Sequence, residues 1–521
     1  MERRQGVGPP TTGQEDAGAG TAPESAAGTA PETAAPSIGR LAGRGLRWGV
    51  AGTLLTRAGS FLMGLVMARL LTPEDFGVYA VALAAMTILM TVKDLGVMAA
   101  VVQWRGGLEE VTPTATVLSF VSAIGLYAVF FAGAPYFAAL AGAEEAAPVV
   151  RLLTAVILVE GFTAVRSAVL MRRFEQDKIT MAIGAGFLAN GTIAITLAAQ
   201  GAGAFSFAWG QVTAAVIAGT IMFRQARLPL RLGFDRDVAR RLLRFGIPSA
   251  AAIGIETMLL NAGYIVVGDI MGPIWLGYFL LAFNVSSWVP GVIGAAVRYV
   301  SVPGFSRLSE HDPAAFAEGV RRSSTALLAT VLPVAMVMVA LSHPLIALLY
   351  GERWDSSAGV LRFLALAMVT RMLTAFALDV LTGQGNTRAG MWMNVGHGVL
   401  LIPMLIAGTR LDGIRGAAIG QALAGVLVAL PIAAFMLRRC GVPIRPIAAS
   451  MLRPLAAFGC GLAVTAGVNW LTPGPALAEL VLGAGAGLIV YVALVVPRQR
   501  LREVAGQVAD RLGRRSRLTR E

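Results

Sequence analysis

The sequence predicts an all-α integral membrane protein with about fourteen transmembrane helices. Of its 521 residues, 56% are apolar and only 14% are charged, whereas a soluble domain carries roughly 25% charged residues. Apolar runs of about 20 residues recur along the chain, and each is long enough to cross the hydrocarbon core of a bilayer. Arginines concentrate in every second loop between these runs, which is the pattern that orients a multi-pass protein.

The apolar runs predict helices, because backbone polar groups in hydrocarbon must be satisfied within the protein. Their apolar residues do not alternate with polar ones, as they would in a membrane-spanning barrel. Approximate span cores lie at 48–71, 76–99, 115–138, 149–170, 179–199, 204–223, 245–268, 276–297, 324–349, 358–381, 391–408, 414–437, 447–470 and 477–496.

Basic loops predict the orientation. The loop after span four contains Arg172, Arg173 and Lys178, whereas the loop after span one is TPED. Positive loops stay in the cytoplasm, so both termini are predicted to be cytoplasmic. The net charge of +13 therefore indicates topology and contact with lipid headgroups, and no nucleic-acid partner is expected.

The TPED stretch predicts a tight turn that opens span two. Pro73 suits the first helical position, and the acids Glu74 and Asp75 suit the first turn of a helix. Gly77 lies one turn further on and allows close helix packing. A second local prediction is a short interfacial helix within 305–324, with Asp312 as its N-cap.

The two halves of the chain echo each other. FGVYAVAL at Phe76 resembles LGYFLLAF at Leu276, and PVVRLLTAV at Pro148 resembles GVLRFLALA at Gly359. The offset of about 200 residues predicts two six-helix lobes in the same orientation, as in transporters that rock one lobe against the other. The predicted units are a disordered cytoplasmic tail (1–40), the first lobe (41–225), a cytoplasmic linker (226–244), the second lobe (245–440), two extra C-terminal spans (441–497) and a basic cytoplasmic tail (498–521).

Polar side chains inside spans are costly and mark candidate sites. A crevice between lobes that is lined by arginine would attract an anion, and guanidinium suits phosphate or diphosphate. For each residue the alternative is a structural hydrogen bond or a snorkelling helix end; Arg57, near mid-span, is the strongest candidate. The candidate substrate-binding residues are Arg57, Arg166, Glu256, Asn261, Asn284, Arg298 and Arg371.

The energy source is expected to be an ion, potential or substrate gradient, because no phosphate-binding loop motif is present. Arg57 and Glu256 hold roughly equivalent places in the two halves and are expected to pair in one state only. Neither a catalytic cluster, a metal site nor a cofactor is expected, and both cysteines are expected to be structural. The candidates for proton or cation coupling are Asp94, Glu160, Glu256 and Asp379.

Three stretches carry a resemblance to a known family. ARLLTPEDFGVYAVAL, VLMRRFEQDKIT and LLYGERWDSSAGVLRFLALA resemble segments of bacterial polysaccharide flippases of the multidrug/oligosaccharidyl-lipid/polysaccharide exporter superfamily. The resemblance runs over about 40–440. It implies that undecaprenyl-diphosphate-linked oligosaccharide moves from the cytoplasmic to the outer leaflet of the inner (plasma) membrane. It also implies a cationic cavity and alternating access, and a role in exopolysaccharide or lipopolysaccharide biosynthesis. The implied partners are this lipid-linked oligosaccharide, membrane lipids, a glycan polymerase and glycosyltransferases.

Other functions stay open. A cation-coupled drug antiporter of the same superfamily predicts an acidic cavity, and a lipid II flippase predicts that growth depends on the gene. A membrane-embedded glycosyltransferase, polymerase or ligase usually needs a sizeable outer loop or paired carboxylates, and neither is found in the sequence. A transporter is therefore expected rather than an enzyme.

Overall fold

The structure, a computed structural model, describes residues 38–93, 101, 107–173, 175–229, 232–294, 313–384 and 386–496. All regular structure within these residues is helical. The first half of the chain forms α1 (Ile38–Leu70), α2 (Pro73–Lys93), α3 (Leu108–Leu140), α4 (Ala147–Thr154), α5 (Val156–Arg172), α6 (Gln176–Ala199) and α7 (Phe205–Gln225). The second half forms α8 (Arg236–Met271), α9 (Pro273–Val289), α10 (Pro313–Ala340), α11 (Ser342–Tyr350), α12 (Ser356–Gly383), α13 (Thr387–Ala424) and α14 (Leu430–Arg439), and a C-terminal pair follows, α15 (Ile444–Leu471) and α16 (Ala476–Val495).

Ten helical segments of the described chain are long and apolar enough to cross a membrane, and two shorter apolar helices accompany them. One of the ten, Ala389–Arg439, contains a kink at Asp412 and Gly413, where the backbone is not helical. This kink falls in the predicted loop between spans eleven and twelve. The protein is therefore a multi-pass helical membrane protein, whereas the count of fourteen spans and the lobe repeat stay predictions.

Two helices extend beyond the predicted spans. Helix α8 begins at Arg236, with the Asp235 carboxylate accepting hydrogen bonds from the backbone N–H groups of Asp237 and Val238, so the end of the predicted linker is helical. Helix α10 runs without a break from Pro313 to Ala340. The separate short interfacial helix predicted there is wrong, because the helix continues directly into the apolar span; Asp312 lies outside the described residues.

The TPED turn has the predicted helix-start geometry. The Asp75 carboxylate accepts hydrogen bonds from the Thr72 backbone N–H, at 2.9 Å, and from the Thr72 hydroxyl, at 2.7 Å. The Asp75 backbone N–H donates back to the Thr72 hydroxyl oxygen at 3.3 Å. This reciprocal arrangement is a capping box, and Pro73 occupies the first helical position, where its missing N–H costs no hydrogen bond. The end of the helical bundle that holds this turn is called the TPED end below.

Helices α2 and α9 cross at the TPED end with their backbones in contact. A Cβ atom added to Gly77 would lie 1.8 Å from the carbonyl oxygen of Pro273, and one added to Gly277 would lie 1.7 Å from that of Pro73. Only glycine permits so close an approach. We call Pro73–Gly77 together with Pro273–Gly277 the glycine crossing; the two glycines hold the same place in the echoing segments FGVYAVAL and LGYFLLAF.

A second set of contacts joins the halves at the TPED end. Arg69, in the last turn of α1, donates to the carbonyl oxygens of Leu348 and Leu349 near the end of α11, each at 3.3 Å. In return, the Arg353 guanidinium and the Trp354 indole N–H, the latter at 3.0 Å, both donate to the carbonyl oxygen of Ala68. Each arginine thus satisfies carbonyls that the last turn of the partner helix leaves free. The TPED end is closed in this structure.

The most buried apolar helices are α2, α12 and the segment of α4 and α5. In the most apolar stretch of each, 50% of the residues of α2 and of Glu144–Arg172 and 61% of those of α12 are buried, against 17% for α3 and for α16. A helix with few buried positions and high hydropathy faces lipid. The central helices therefore position the site, and the C-terminal pair packs on the outside of the second half, where the Tyr491 hydroxyl donates to the Ala329 carbonyl at 3.0 Å.

Candidate substrate site

A cavity of about 280 Å³ separates the two halves of the chain. The first half contributes side chains from α1, α2, α6 and α7, and the second half contributes side chains from α9 and α11. We call it the central cavity. Its lining consists of Arg57, Ser60, Phe61, Met63, Gly64, Phe76, Tyr79, Leu83, Asn190, Phe207, Gln211, Asn284, Ser287, Trp288 and Tyr350.

Arg57 is the charged residue of this lining. It lies 13 residues before the end of α1, which places it about 20 Å from the TPED end at the rise of an α-helix. This depth falls within the hydrocarbon core, about 30 Å thick. The guanidinium reaches across to the second half, because a Cβ added to Gly291 would lie 3.1 Å from its Cζ, Nε and Nη1 atoms. Gly291 belongs to a single π-helical turn, Pro290–Gly294, that continues α9.

Amide and aromatic groups form the rest of the polar lining. The Gln211 amide donates to the Tyr79 hydroxyl at 2.7 Å, and the Tyr79 ring stacks on Phe207 with centroids 4.1 Å apart. The side-chain oxygen of Asn190, which also lines the cavity, is buried without a hydrogen-bond partner in the described structure. Across the halves, the Phe61 and Trp288 rings lie 5.4 Å apart.

A second, smaller cavity lies within the second half. It measures about 110 Å³ and is lined by residues of α8, α9, α12 and α13, including Arg371, Asn394, His397 and Gln421. We call it the C-half cavity. The Arg371 guanidinium donates to the Ser287 hydroxyl at 3.2 Å. Because Ser287 also lines the central cavity, a single hydrogen bond separates Arg371 from that space.

The predicted site residues therefore divide among different places. Arg57 and Asn284 line the central cavity, whereas Arg371 lines the C-half cavity. Arg166 is 1% exposed and lies inside the first half, with its Cζ atom 3.8 Å from the Phe223 ring centroid. Asn261 is buried and donates to the Thr257 carbonyl of its own helix at 2.8 Å. Neither of these two residues lines the central cavity.

The coupling candidates also lie elsewhere. The Glu160 carboxylate is 2.8 Å from the ammonium of Lys93, which is 5% exposed, so the pair joins α2 to α5. Asp379 is buried in α12 and does not belong to the lining of either cavity. Asp94 and Arg298 lie outside the described residues, as does the Glu256 side chain, so its predicted pairing with Arg57 stays a prediction.

Sequence reasoning missed several lining residues. Asn190 and Gln211 are amides within predicted spans five and six, and the criterion of a polar residue inside a span would have found both. Tyr79 and Trp288 carry no such signal, since aromatic residues are common among apolar ones. Only the packing of α2 and α9 around the cavity reveals them.

The central cavity has a definite chemical character. Its described lining contains a guanidinium, three amides and several aromatic rings, with neither Asp nor Glu among them. Such a wall attracts anions, and guanidinium binds phosphate oxygens in pairs. Amides and aromatic rings add hydrogen bonds and flat apolar surface beside the charge. Over the described part of the chain, no group of three or more His, Cys, Asp and Glu side chains that could hold a metal ion occurs.

Comparisons with known proteins identify a family and relatives. A family model described as polysaccharide biosynthesis protein matches residues 66–359. Among curated proteins, the chain is similar to the succinoglycan biosynthesis transport protein ExoT of Rhizobium meliloti (strain 1021), at 25% identity over 67% of this chain and 70% of ExoT. It is also similar to the lipopolysaccharide biosynthesis protein WzxC of Escherichia coli (strain K12), at 21% identity over 74% of this chain and 78% of WzxC.

Solved structures give the fold. The lipid II flippase MurJ in its inward closed conformation superposes with a TM-score of 0.71 at 13% identity, covering 86% of this chain and 98% of that one. An inward-facing multidrug resistance transporter of the MATE family superposes with a TM-score of 0.61 at 16% identity, covering 76% of this chain and 95% of that one. The likeness to these structures shows the fold, and among the relatives ExoT is named a transport protein.

Proposed function

The chain belongs to the polysaccharide biosynthesis protein family, and on this premise we propose that it translocates an undecaprenyl-diphosphate-linked oligosaccharide. The direction is from the cytoplasmic to the outer leaflet of the inner membrane, with both termini cytoplasmic and the TPED end facing outward. The succinoglycan transport function of ExoT and the lipopolysaccharide biosynthesis function of WzxC support a glycan as cargo. ExoT and WzxC do not fix which sugars it contains.

One observation supports the proposal most. Arg57 lies about 20 Å from the TPED end in a cavity between the halves, and no described lining residue of that cavity is acidic. A diphosphate carries two or more negative charges and would compensate this guanidinium. The neighbouring amides and the Phe61 and Trp288 rings then offer hydrogen bonds and stacking surface to the first sugars.

The proposed mechanism follows from where the contacts lie. The diphosphate binds Arg57 while the TPED end is closed and the cavity is open to the cytoplasm. Rocking of the halves breaks the glycine crossing, opens the TPED end and moves Arg57 away from the turn at Gly291. The prenyl chain stays in lipid between the halves, and release follows because fewer groups contact the diphosphate in the outward state.

The experiment compares export in cells that carry wild-type protein, Arg57→Gln or Arg224→Gln. Arg224 is an exposed arginine in the last turn of α7 and is not part of the central cavity, so its change matches the loss of charge without touching the site. We expect Arg57→Gln to accumulate the prenyl-diphosphate glycan on the inner leaflet and to abolish export, while Arg224→Gln exports normally. Normal export by Arg57→Gln, at equal protein in the membrane, would refute the proposal.

Two alternatives share the fold. A cation-coupled drug antiporter requires carboxylates in the transport cavity, and none occurs in its described lining, which disfavours it. A lipid II flippase would use the same diphosphate chemistry, so the cavity does not separate it from a polysaccharide flippase. Deletion separates them, because loss of a lipid II flippase stops growth, whereas loss of a polysaccharide flippase removes a surface glycan.

A further inference from the structure

The C-half cavity has a mostly apolar lining that includes Arg371, and its described part contains neither Asp nor Glu; we propose that it binds a small inorganic monoanion, chloride being the abundant one. The proposal concerns Arg371 and the groups around it. It stands independently of the translocated cargo, because it rests on a different cavity from the one that contains Arg57.

The charge of Arg371 has no described carboxylate beside it. Its guanidinium donates to the neutral Ser287 hydroxyl at 3.2 Å, and its Cζ atom lies 5.3 Å from the Phe283 ring centroid. The described lining of the cavity contains neither Asp nor Glu. A cation held inside a membrane protein without an opposite charge is costly, and an anion within the cavity would offset that cost.

Further residues with hydrogen-bonding side chains line the same cavity. His397 Nε2 and Gln421 Oε1 are both buried without a hydrogen-bond partner, and the Asn394 amide is part of the same wall. An imidazole nitrogen can carry the proton, and an amide can present its NH₂ end in place of its oxygen. With those orientations, His397, Gln421 and Asn394 donate toward an anion next to Arg371.

The cavity has the size and construction of an ion site. At about 110 Å³ it has room for a small ion with a few waters. One wall is the π-helical turn Gly425–Ala429, and a Cβ added to Gly425 would lie 2.2 Å from the Thr370 hydroxyl oxygen. This glycine lets α13 press against α12, and single π turns often accompany functional sites.

The test measures binding of ³⁶Cl⁻ to the purified full-length protein by scintillation proximity, with sodium gluconate holding the ionic strength constant. We expect saturable binding of one chloride per chain, weakened at least about tenfold by Arg371→Gln because a charged hydrogen-bond donor is lost. The matched control is Arg224→Gln, which removes an exposed arginine that lines neither the central cavity nor the C-half cavity and should bind chloride as wild type does.

Three outcomes would overturn the proposal: no saturable chloride binding by wild type, undiminished binding by Arg371→Gln, or equal loss in Arg224→Gln. Saturable ²²Na⁺ binding in its place would assign the cavity to a cation and also overturn it. If Arg371→Gln fails to fold, Asn394→Leu removes a neutral donor from the same wall and is expected to weaken chloride binding several-fold. The melting temperature of each variant in gluconate reports whether it folds.

Discussion

At the scale of single residues, the proposed binding of a diphosphate in the central cavity depends on whether the cation at position 57 is a guanidinium or an ammonium. A guanidinium can give two parallel hydrogen bonds to one phosphate, whereas an ammonium is a compact point charge. We therefore expect Arg57→Lys to keep the attraction for the diphosphate but to lower the export rate about tenfold, since roughly one charged hydrogen bond is lost. Export of the surface glycan by Arg57→Lys, measured beside wild type and Arg57→Gln, checks this. Equal export by Arg57→Lys and wild type would show that charge alone suffices.

A second residue-scale prediction concerns Glu160, which the sequence made a candidate for ion coupling. Its contact with buried Lys93 predicts a structural role. Because Glu160 is 45% exposed, we expect Glu160→Gln to destabilise the protein by only about 1–2 kcal/mol, less than a fully buried pair would lose. The melting temperature should fall while export per folded molecule stays unchanged. Glu145→Gln, which alters an exposed acid in the Glu144–Ala146 turn, is the control. If Glu160→Gln lost export while its stability stayed normal, the predicted role of Glu160 in ion coupling would be supported instead.

The direction in which an intramembrane arginine points could not be predicted from the sequence. Arg57 and Arg166 were both candidates, since each is an arginine inside an apolar span, although Arg57 lies nearer the middle of its span. One faces the central cavity, and the other lies against Phe162 and Phe223 within the first half. These spans are apolar on every side, so the sequence does not show which way a given position points. That rotation is set by packing between helices.

At the scale of helices, the glycine crossing holds the TPED end shut. A methyl group on Gly77 would overlap the Pro273 carbonyl oxygen, 1.8 Å from the added Cβ, so Gly77→Ala forces α2 and α9 apart. We expect the variant to favour the state that is open at the TPED end. The readout is labelling of a cysteine introduced at Tyr278 by a membrane-impermeant maleimide, after Cys440 and Cys460 are replaced by serine. Labelling should rise several-fold.

The control for this experiment is Gly125→Ala in α3, because no atom lies within 4 Å of a Cβ added there. Gly277→Ala should act like Gly77→Ala, since the two glycines exchange the same contact. Unchanged labelling in both crossing variants would mean that the contact relaxes locally without opening the TPED end.

Local sequence signals predicted where helices begin better than they predicted whether consecutive helical segments are continuous. Pro73 and the acids Glu74 and Asp75 predicted the start of α2, and the kink within α13, where Gly413 has φ of +55°, falls in a predicted loop. The unbroken course of α10 through Arg321 and Arg322 could not be predicted. Those arginines form ion pairs with Glu318 on the same helix, at 2.7 and 2.5 Å, and so they fit within a continuous helix.

At the scale of the whole molecule, composition and the spacing of apolar runs were enough to predict a helical membrane protein, because a bilayer permits few alternatives. The state of the molecule was not predictable in this way. Closure at the TPED end depends on contacts between α2 and α9 and between α1 and α11, and the members of each pair are far apart in the sequence. Translocation by rocking halves requires both sets of contacts to break in every cycle.

That requirement gives the last prediction. The Arg69 guanidinium reaches the carbonyls of Leu348 and Leu349. The gap between the two backbones is therefore roughly 10 Å, the length of an arginine side chain plus one hydrogen bond, and a cross-linker of that length can join α1 to α11. We expect the pair Arg69→Cys and Leu348→Cys, in the background without Cys440 and Cys460, to export glycan until a reducible bis-methanethiosulfonate reagent joins the two helices. Export should then stop and return after reduction. The single-cysteine variants treated with the same reagent should export throughout. Continued export by the fully cross-linked pair would mean that the substrate crosses without opening the TPED end, and alternating access between the halves would have to be abandoned.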